Sequence, residues 1–395
     1  MPEIQPFAAV RYNTNNVNPA DVLTQPYDKI TPAMQQQYLA RSPYNLIRIE
    51  LGQTEPTDTD TNNKYTRAAA LYQQWLRDGI LRRATRPALY YLEQTFTPPH
   101  TTATLTRKAL IARVRLHRWD EGKILPHEHT LSKPKADRLA LLKATGSQQG
   151  QIFMLYPQSI TLPTTGTKLF ELVDDYHVTN TLSEITDPAA ITAIQRALQP
   201  QTFYIADGHH RYETALAYRD ETQTEPSRYV MATLVDLHDP GLVILPTHRT
   251  VAHLRDFDPG KFLHRLAKDF AVTACPNLPG LLTALNQTPH AIGMLLDGKF
   301  TVLTPRHRSA LAPLFANKPP LWDQLDVAIL HVAILEAILG IDDQRLRDEA
   351  NVTYWREPDL AARDVTTGNA QLAFFLRPTP VADVKAVADA RSRMP

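Results

Sequence analysis

Apolar and polar positions alternate between two periods along this chain. In "KYTRAAALYQQWLRDGIL", Tyr65, Ala68, Ala69, Tyr72 and Leu76 recur at helical spacing, and Gly79 follows. That spacing predicts an amphipathic helix with a glycine stop. "YNLIRIELG" alternates instead, which predicts a strand ending at Gly52. "ALYYLEQTF" and "ALIARVRLH" flank "TPPHTTATLTRK" and predict an antiparallel hairpin with a long loop. Further on, "KADRLALLKA" reads as a helix ended by Gly146, "QIFMLYP" as a short buried strand, and "DPAAITAIQRAL" as a helix capped by Asp187. "QTFYIA", "SRYVMATLVDL" and "GLVILPTHRTV" read as strands expected in one sheet. The final third offers a helix at "GKFLHRLAKDF", strands at "AIGMLLDGKFTVL", and a buried helix at "LDVAILHVAILEAIL". A strand, turn and helix follow at "AQLAFFLRPTPVADVKAVAD". No fixed-period repeat is present. Interleaved strands and helices predict a mixed α/β (α+β) class, divided provisionally at 1–118, 119–255 and 256–395.

Composition narrows this picture only a little. With 395 residues, two or three domains are expected. The balance of 42 Lys and Arg against 41 Asp and Glu gives a net charge of +1, without the basic excess of a dedicated DNA binder. No nucleic-acid partner is expected. The single cysteine, Cys275, excludes an intramolecular disulfide framework and reads as a small apolar filler at a strand end. The opening "MPEIQPFAAVRYN" lacks a basic region followed by an apolar core, so no secretory signal is expected and the cytoplasm is the expected location. The apolar run around Val327 to Leu339 is broken by His331 and Glu336. A membrane span needs about 18 or more nearly uninterrupted apolar residues, so none is expected. The sequence leaves a homo-oligomer open.

Candidate chemistry concentrates in "QTFYIADGHHRYETALAY". A strand, a five-residue polar turn and a helix bring backbone N–H groups and a positive helix end to one place. Gly208 permits close approach of a ligand, Arg211 could fork two phosphate oxygens, and His209 and His210 could donate to the same group. Asp207 instead suits a cation such as Mg²⁺, or a hydroxyl. The same turn also reads as a helix start capped by Asp207. A second candidate is "LPHEHTLSKPKADR", where His127 and His129 share one strand face and could ligate a metal with His209 and His210. Glu128 between them could serve as a general base if burial brings its pKa toward neutrality. A solvated turn ahead of a helix fits that segment too. Thr247, His248 and Arg249 in "ILPTHRTV" form a third, weaker candidate. Neither a P-loop nor a Rossmann glycine fingerprint occurs.

The strand followed by "DGHHR" and a helix resembles the phosphate-binding motif of the ParB and sulfiredoxin superfamily. With two histidines it is similar to that of archaeal free-serine kinases, which also carry a Pro-His-Glu segment whose glutamate is the base. Pro126, His127 and Glu128 stand in the same order here, though farther ahead of Asp207. Over nearly its whole length the chain resembles the bacterial family known as domain of unknown function 1015. The landmarks are "QPYDKI", "LPHEHTLSKPKADRLALLKAT", "IADGHHRYETA", "ILPTHR", "LDVAILHVAILE" and "AFFLRPTPVADVKAVAD".

The resemblance implies a ParB/sulfiredoxin-like core over 119–255 and ATP-dependent phosphorylation of free L-serine, with Mg²⁺ and ATP or ADP as the donor. Gly208, His209, His210 and Arg211 would hold the phosphates, Asp207 would hold Mg²⁺ or orient the phosphate chain, and Glu128 would be the base. His127, Lys133, Lys135, Arg138, Thr247, His248 and Arg249 are candidates for substrate contact or charge stabilisation. Two other classes stay open at this point: a nucleotide-binding switch and a histidine-ligated metal hydrolase. Family members usually run on beyond "VADARSRMP" through a Pro-Lys-Ser-Thr-type segment. The expectation is therefore that the chain ending at Pro395 has an open acceptor side and turns serine over slowly.

Overall fold

The computed structural model describes residues 3–99, 101–128, 132–163, 166–347 and 351–395. Two compact units divide the chain, Met1–Val243 and Ile244–Pro395. The class is mixed α/β, as the interleaved periodicities require.

Among the described residues of the first unit, nine strands form one mixed sheet. Its path runs Ile124–Leu125, Phe203–Asp207, Ile152–Tyr156, Tyr229–Asp236, Leu105–Arg115, Leu89–Phe96, Thr179–Ile185, Thr167–Val173. Ile4–Gln5 pairs on the Leu105–Arg115 strand off this path. Strands from before residue 118 and after it therefore share one sheet, so the provisional boundary at 118 does not separate structural units. The expected hairpin is present, with Tyr91 opposite Leu110. Its buried apolar side chains join Ile152, Met154, Phe203, Ile205 and Tyr212 in one core.

The Lys64–Arg77 helix forms as its period predicts. Asn63 caps it reciprocally with Thr66, Trp75 is buried, and Gly79 takes the left-handed conformation beyond its end. "YNLIRIELG" does not form a strand: Ile47–Glu50 is a short helix. Buried Asn45 accepts the Ile47 N–H at 3.0 Å and starts a turn that overrides the alternation.

The second unit carries a six-stranded antiparallel sheet among the described residues. Cys275 ends the Phe270–Cys275 strand, half-buried, as expected of a filler. Of "GLVILPTHRTV", only His248–Val251 is a strand, and it belongs to this sheet rather than to that of Phe203–Asp207. The expectation of three strands in one sheet is corrected there. The buried helix is α-helical over Asp326–Ile329 and a π-turn over Leu330–Glu336, with Leu330 and Ile334 fully buried. No helix among the described residues is long and apolar enough to cross a membrane.

Candidate functional site

The site begins with a parallel pairing. Ile124 and Leu125 lie in register with Phe203 and Tyr204. Two parallel strands leave a sheet at the same end, so the segment after Leu125 meets the segment after Tyr204. This is how residues 126–128 arrive beside 205–209 despite their distance in sequence. The pairing with Ile152–Tyr156 shifts register between Ile205 and Asp207, at the end of this strand.

His127 Nδ1 lies 2.8 Å from the carbonyl oxygen of Ile205. A carbonyl only accepts, so Nδ1 carries the proton. The His127 backbone N–H in turn donates to His209 Nε2 at 3.3 Å, and the two rings meet edge to face at 4.8 Å. That makes Nε2 of His209 an acceptor and assigns the proton to Nδ1, which faces Glu128 Oε2 at 3.2 Å. His209 is 2% exposed and Glu128 is 57% exposed. A buried imidazole thus stands at ion-pair distance, off hydrogen-bond alignment, from a carboxylate that opens to solvent.

Two readings change here. His209 is buried under Glu128, rather than facing outward with the rest of the expected phosphate-binding turn. Nor does burial bring Glu128 toward neutrality. Partial desolvation pushes its pKa up, but the His209 contact and the nearby imidazoles outweigh that, and it settles below the ordinary glutamate value. Glu128 is a carboxylate at neutral pH. His210 moves the other way for a histidine: burial lowers its pKa against the pull of Glu213, so it is neutral there.

Gly208 follows Asp207 with φ of 91° and starts the His209–Thr222 helix without a side-chain cap. Its first-turn N–H groups open onto the turn. Arg211 folds back over it. Its Nη2 meets Asp207 Oδ2 at 2.5 Å and its Nη1 donates to the Gln151 carbonyl. The anticipated phosphate fork is therefore spent on holding Asp207 and the Gln151 strand end. A Cβ at Gly208 would lie 3.1 Å from three guanidinium atoms of Arg211. Gly208→Ala should thus cost roughly 1–2 kcal/mol for its left-handed backbone, plus displacement of Arg211. Gly208→Asn should lose less of the backbone cost, since asparagine tolerates that region. Urea unfolding measures both, and an alanine variant as stable as the parent would refute this account of the turn.

The basic candidates separate. Lys135 Nζ pairs with Glu213 Oε2 at 2.8 Å, linking the Ser132–Thr145 helix to the His209–Thr222 helix. Arg138 is buried at 7% exposure and bonds the Glu50 carbonyl, Glu50 Oε1 and Asp137, with its guanidinium 4.2 Å over the Tyr27 ring. It is a structural clamp, not a free charge. His129 lies outside the described residues, as does the Lys133 side chain. Thr247, His248 and Arg249 belong to the second unit. There His248 is 1% exposed and accepts the Leu376 N–H, while Arg249 donates to the Thr247 carbonyl and lies over Tyr354.

Sequence reasoning missed three partners. Tyr27 and Glu50 both lie within electrostatic reach of Arg211, so the amino-terminal segment flanks the turn. Asp137 takes Lys64 Nζ at 2.6 Å and Tyr65 Oη at 2.8 Å besides Arg138. Burial pushes its pKa up, but these bonds outweigh it and hold the carboxyl at about 2. The landmark "QPYDKI" held the signal for Tyr27; nothing local marked Glu50.

The fold and the turn define a mixed α/β protein in which a strand, a left-handed glycine and a helix present a carboxylate beside a buried histidine. Residues 4–328 match the family described as "Protein of unknown function (DUF1015)". The chain belongs to that family. No curated protein matches it. Similar solved structures include a conserved hypothetical protein from Pyrococcus furiosus, 13% identical over 69% of this chain and 84% of that one, with TM-score 0.35. A mutant free serine kinase in complex with ADP is 12% identical over 69% and 80%, with TM-score 0.36. SbnI with C-terminal truncation from Staphylococcus aureus is 11% identical over 72% and 79%, with TM-score 0.37. Likenesses this distant do not bear on what this chain binds.

Proposed function

We propose that this protein is an ATP-dependent kinase that phosphorylates the hydroxyl of free L-serine. The observation that carries this reading is the Glu128 carboxylate, charged and set against His209 beside the Gly208 turn. Phosphoryl transfer asks the protein mainly to position reactants and stabilise charge. The turn offers N–H groups of the helix start to the phosphates, with His210 beside them as a further donor. Glu128 accepts the hydroxyl proton as the serine oxygen attacks phosphorus. His209 Nδ1 lies 3.2 Å from the carboxylate and supports its charge electrostatically, and Arg211 holds Asp207 at the turn. The acceptor is taken from the resemblance of "LPHEH" and "DGHHR" to the free-serine kinases, within a ParB/sulfiredoxin-like core.

Asp207 is 44% exposed and commits Oδ2 to Arg211, so Oδ1 is the oxygen that would take a cation arriving with the nucleotide. Among the described residues no group of three or more His, Cys, Asp or Glu is placed to hold a metal ion. One carboxylate plus phosphate oxygens is the usual setting for Mg²⁺, so the residues fit it. Bound there, Mg²⁺ would neutralise charge on the phosphates. His127 and His209 commit ring nitrogens to Ile205 and to the His127 amide, which does not favour the histidine-ligated hydrolase.

Calorimetric titration with ADP tests the turn. His210→Ala removes a donor to a charged group, worth about 1.5–3 kcal/mol, so affinity should fall about 10- to 100-fold. Unchanged affinity would remove His210 from the phosphate site.

A further inference from the structure

The far end of the His209–Thr222 helix carries a second concentration of charge. An open cavity of about 480 Å³ is lined there by Arg115, Arg118, Arg219 and Arg228, with Asp220 and Gln223. These arginines come from a strand end, a turn, the helix and the segment before the Tyr229–Asp236 strand. The walls are fixed by backbone bonds. Leu116 N–H donates to the Arg228 carbonyl at 2.9 Å, and Arg219 Nη1 donates to the Leu116 carbonyl at 3.1 Å. Tyr212 Oη bonds both the N–H and the carbonyl of His117 at 2.9 Å.

A helix C-terminus favours a nearby cation, and Arg219 supplies it. That accounts for one arginine, not four. The lining holds four arginines and one carboxylate, Asp220, which Arg118 and Arg219 share at 3.2 and 2.8 Å. Arg115 and Arg228 lean on Glu3 and Glu225 from outside the cavity, at 3.1 and 3.3 Å through one nitrogen each. Each guanidinium has five N–H donors in a planar fork that matches phosphate oxygens. Glu3, Asp220 and Glu225 offset three of the four positive charges, and the forks' remaining donors can still take an anion.

We propose that this cavity is a second anion site, taking a small molecule with two linked phosphoryl groups. One phosphate would fill little of the volume. The site is separate from the Gly208 turn. The helix between them has 14 residues, which at 1.5 Å per residue sets the two ends about 20 Å apart.

Calorimetry of the full chain with inorganic pyrophosphate and, separately, ADP tests the proposal at low salt. Arg118 and Arg228 are 66% and 48% exposed, so an Arg118→Glu/Arg228→Glu double variant should fold, as a circular dichroism melt will verify. Its pyrophosphate affinity at this site should fall about tenfold or more. His210→Ala should leave this binding in place, which separates the proposal from the nucleotide reading. If ADP binds with the same dependence on Arg118 and Arg228, the ligand is a nucleotide tail; if pyrophosphate alone does, it is the inorganic anion. Both results support the site. An unchanged pyrophosphate isotherm in the folded double variant overturns it. So does an equal loss on reversing exposed Arg82 and Arg83 to Glu, which would reduce the effect to net charge.

Discussion

Glu128→Gln is expected to lower phosphotransfer by about 100- to 10,000-fold, the usual contribution of a positioned base, while ADP binds nearly as it does to the parent. Glutamine keeps the shape of the side chain, and its carbonyl can stand at the same distance from His209 Nδ1. Only proton acceptance is removed. The pH dependence sharpens the test. Glu128 sits below its ordinary value of 4.5, because the His209 contact outweighs partial desolvation. The acid limb of kcat/KM, which reports the free enzyme, should therefore fall below pH 4.5 when Glu128 is the group titrating. Activity would be complete above that limb and lost as pH falls through it. A wild-type rate in Glu128→Gln would end its role as base. A limb near neutrality that Glu128 controls would contradict the His209 contact as the source of its charge.

The second large effect concerns stability. Arg138→Met should destabilise the first unit by about 3–5 kcal/mol, because it leaves a buried carboxylate without its counter-charge. Glu50 and Arg138 have side chains only 9% and 7% exposed. Burial already pushes the Glu50 pKa up, with Arg138 the largest opposing influence. Without the guanidinium, Glu50 must take up a proton or rearrange, and Asp137 loses one of its three partners. For a unit of this size 1 kcal/mol moves Tm by about 2–4 °C, so a fall of about 6–20 °C is expected. Glu50→Gln in the same chain should recover part of it, because no orphaned charge then remains. A Tm loss under about 2 °C in the single variant would show that the pair does not clamp the segment.

How much of this was legible in the sequence depends on how local each determinant is. The Lys64–Arg77 helix and the Leu89–Arg115 hairpin follow period and caps, and both formed. "YNLIRIELG" misled because alternation in a short run is outvoted by one side chain, the Asn45 that starts a turn. The strand–glycine–helix turn was readable, since Gly208 and its neighbours are consecutive. Its inner arrangement was not. That His209 is buried against His127 depends on a parallel pairing between strands about eighty residues apart, which no local pattern encodes. The same holds for Arg138, whose residue type suits phosphate contact but whose partners, Tyr27 and Glu50, come from distant segments. Likewise, "ILPTHR" reads as polar chemistry, whereas its His248 side chain is almost fully buried in another unit.

The most direct test of the central claim is phosphorus NMR of the purified chain with Mg²⁺, ATP and each free amino acid in turn. The account predicts O-phosphoserine from L-serine, formed at a rate that collapses in Glu128→Gln. Binding of ADP without phosphorylation of serine or any other amino acid, or serine phosphorylation indifferent to Glu128, would contradict it.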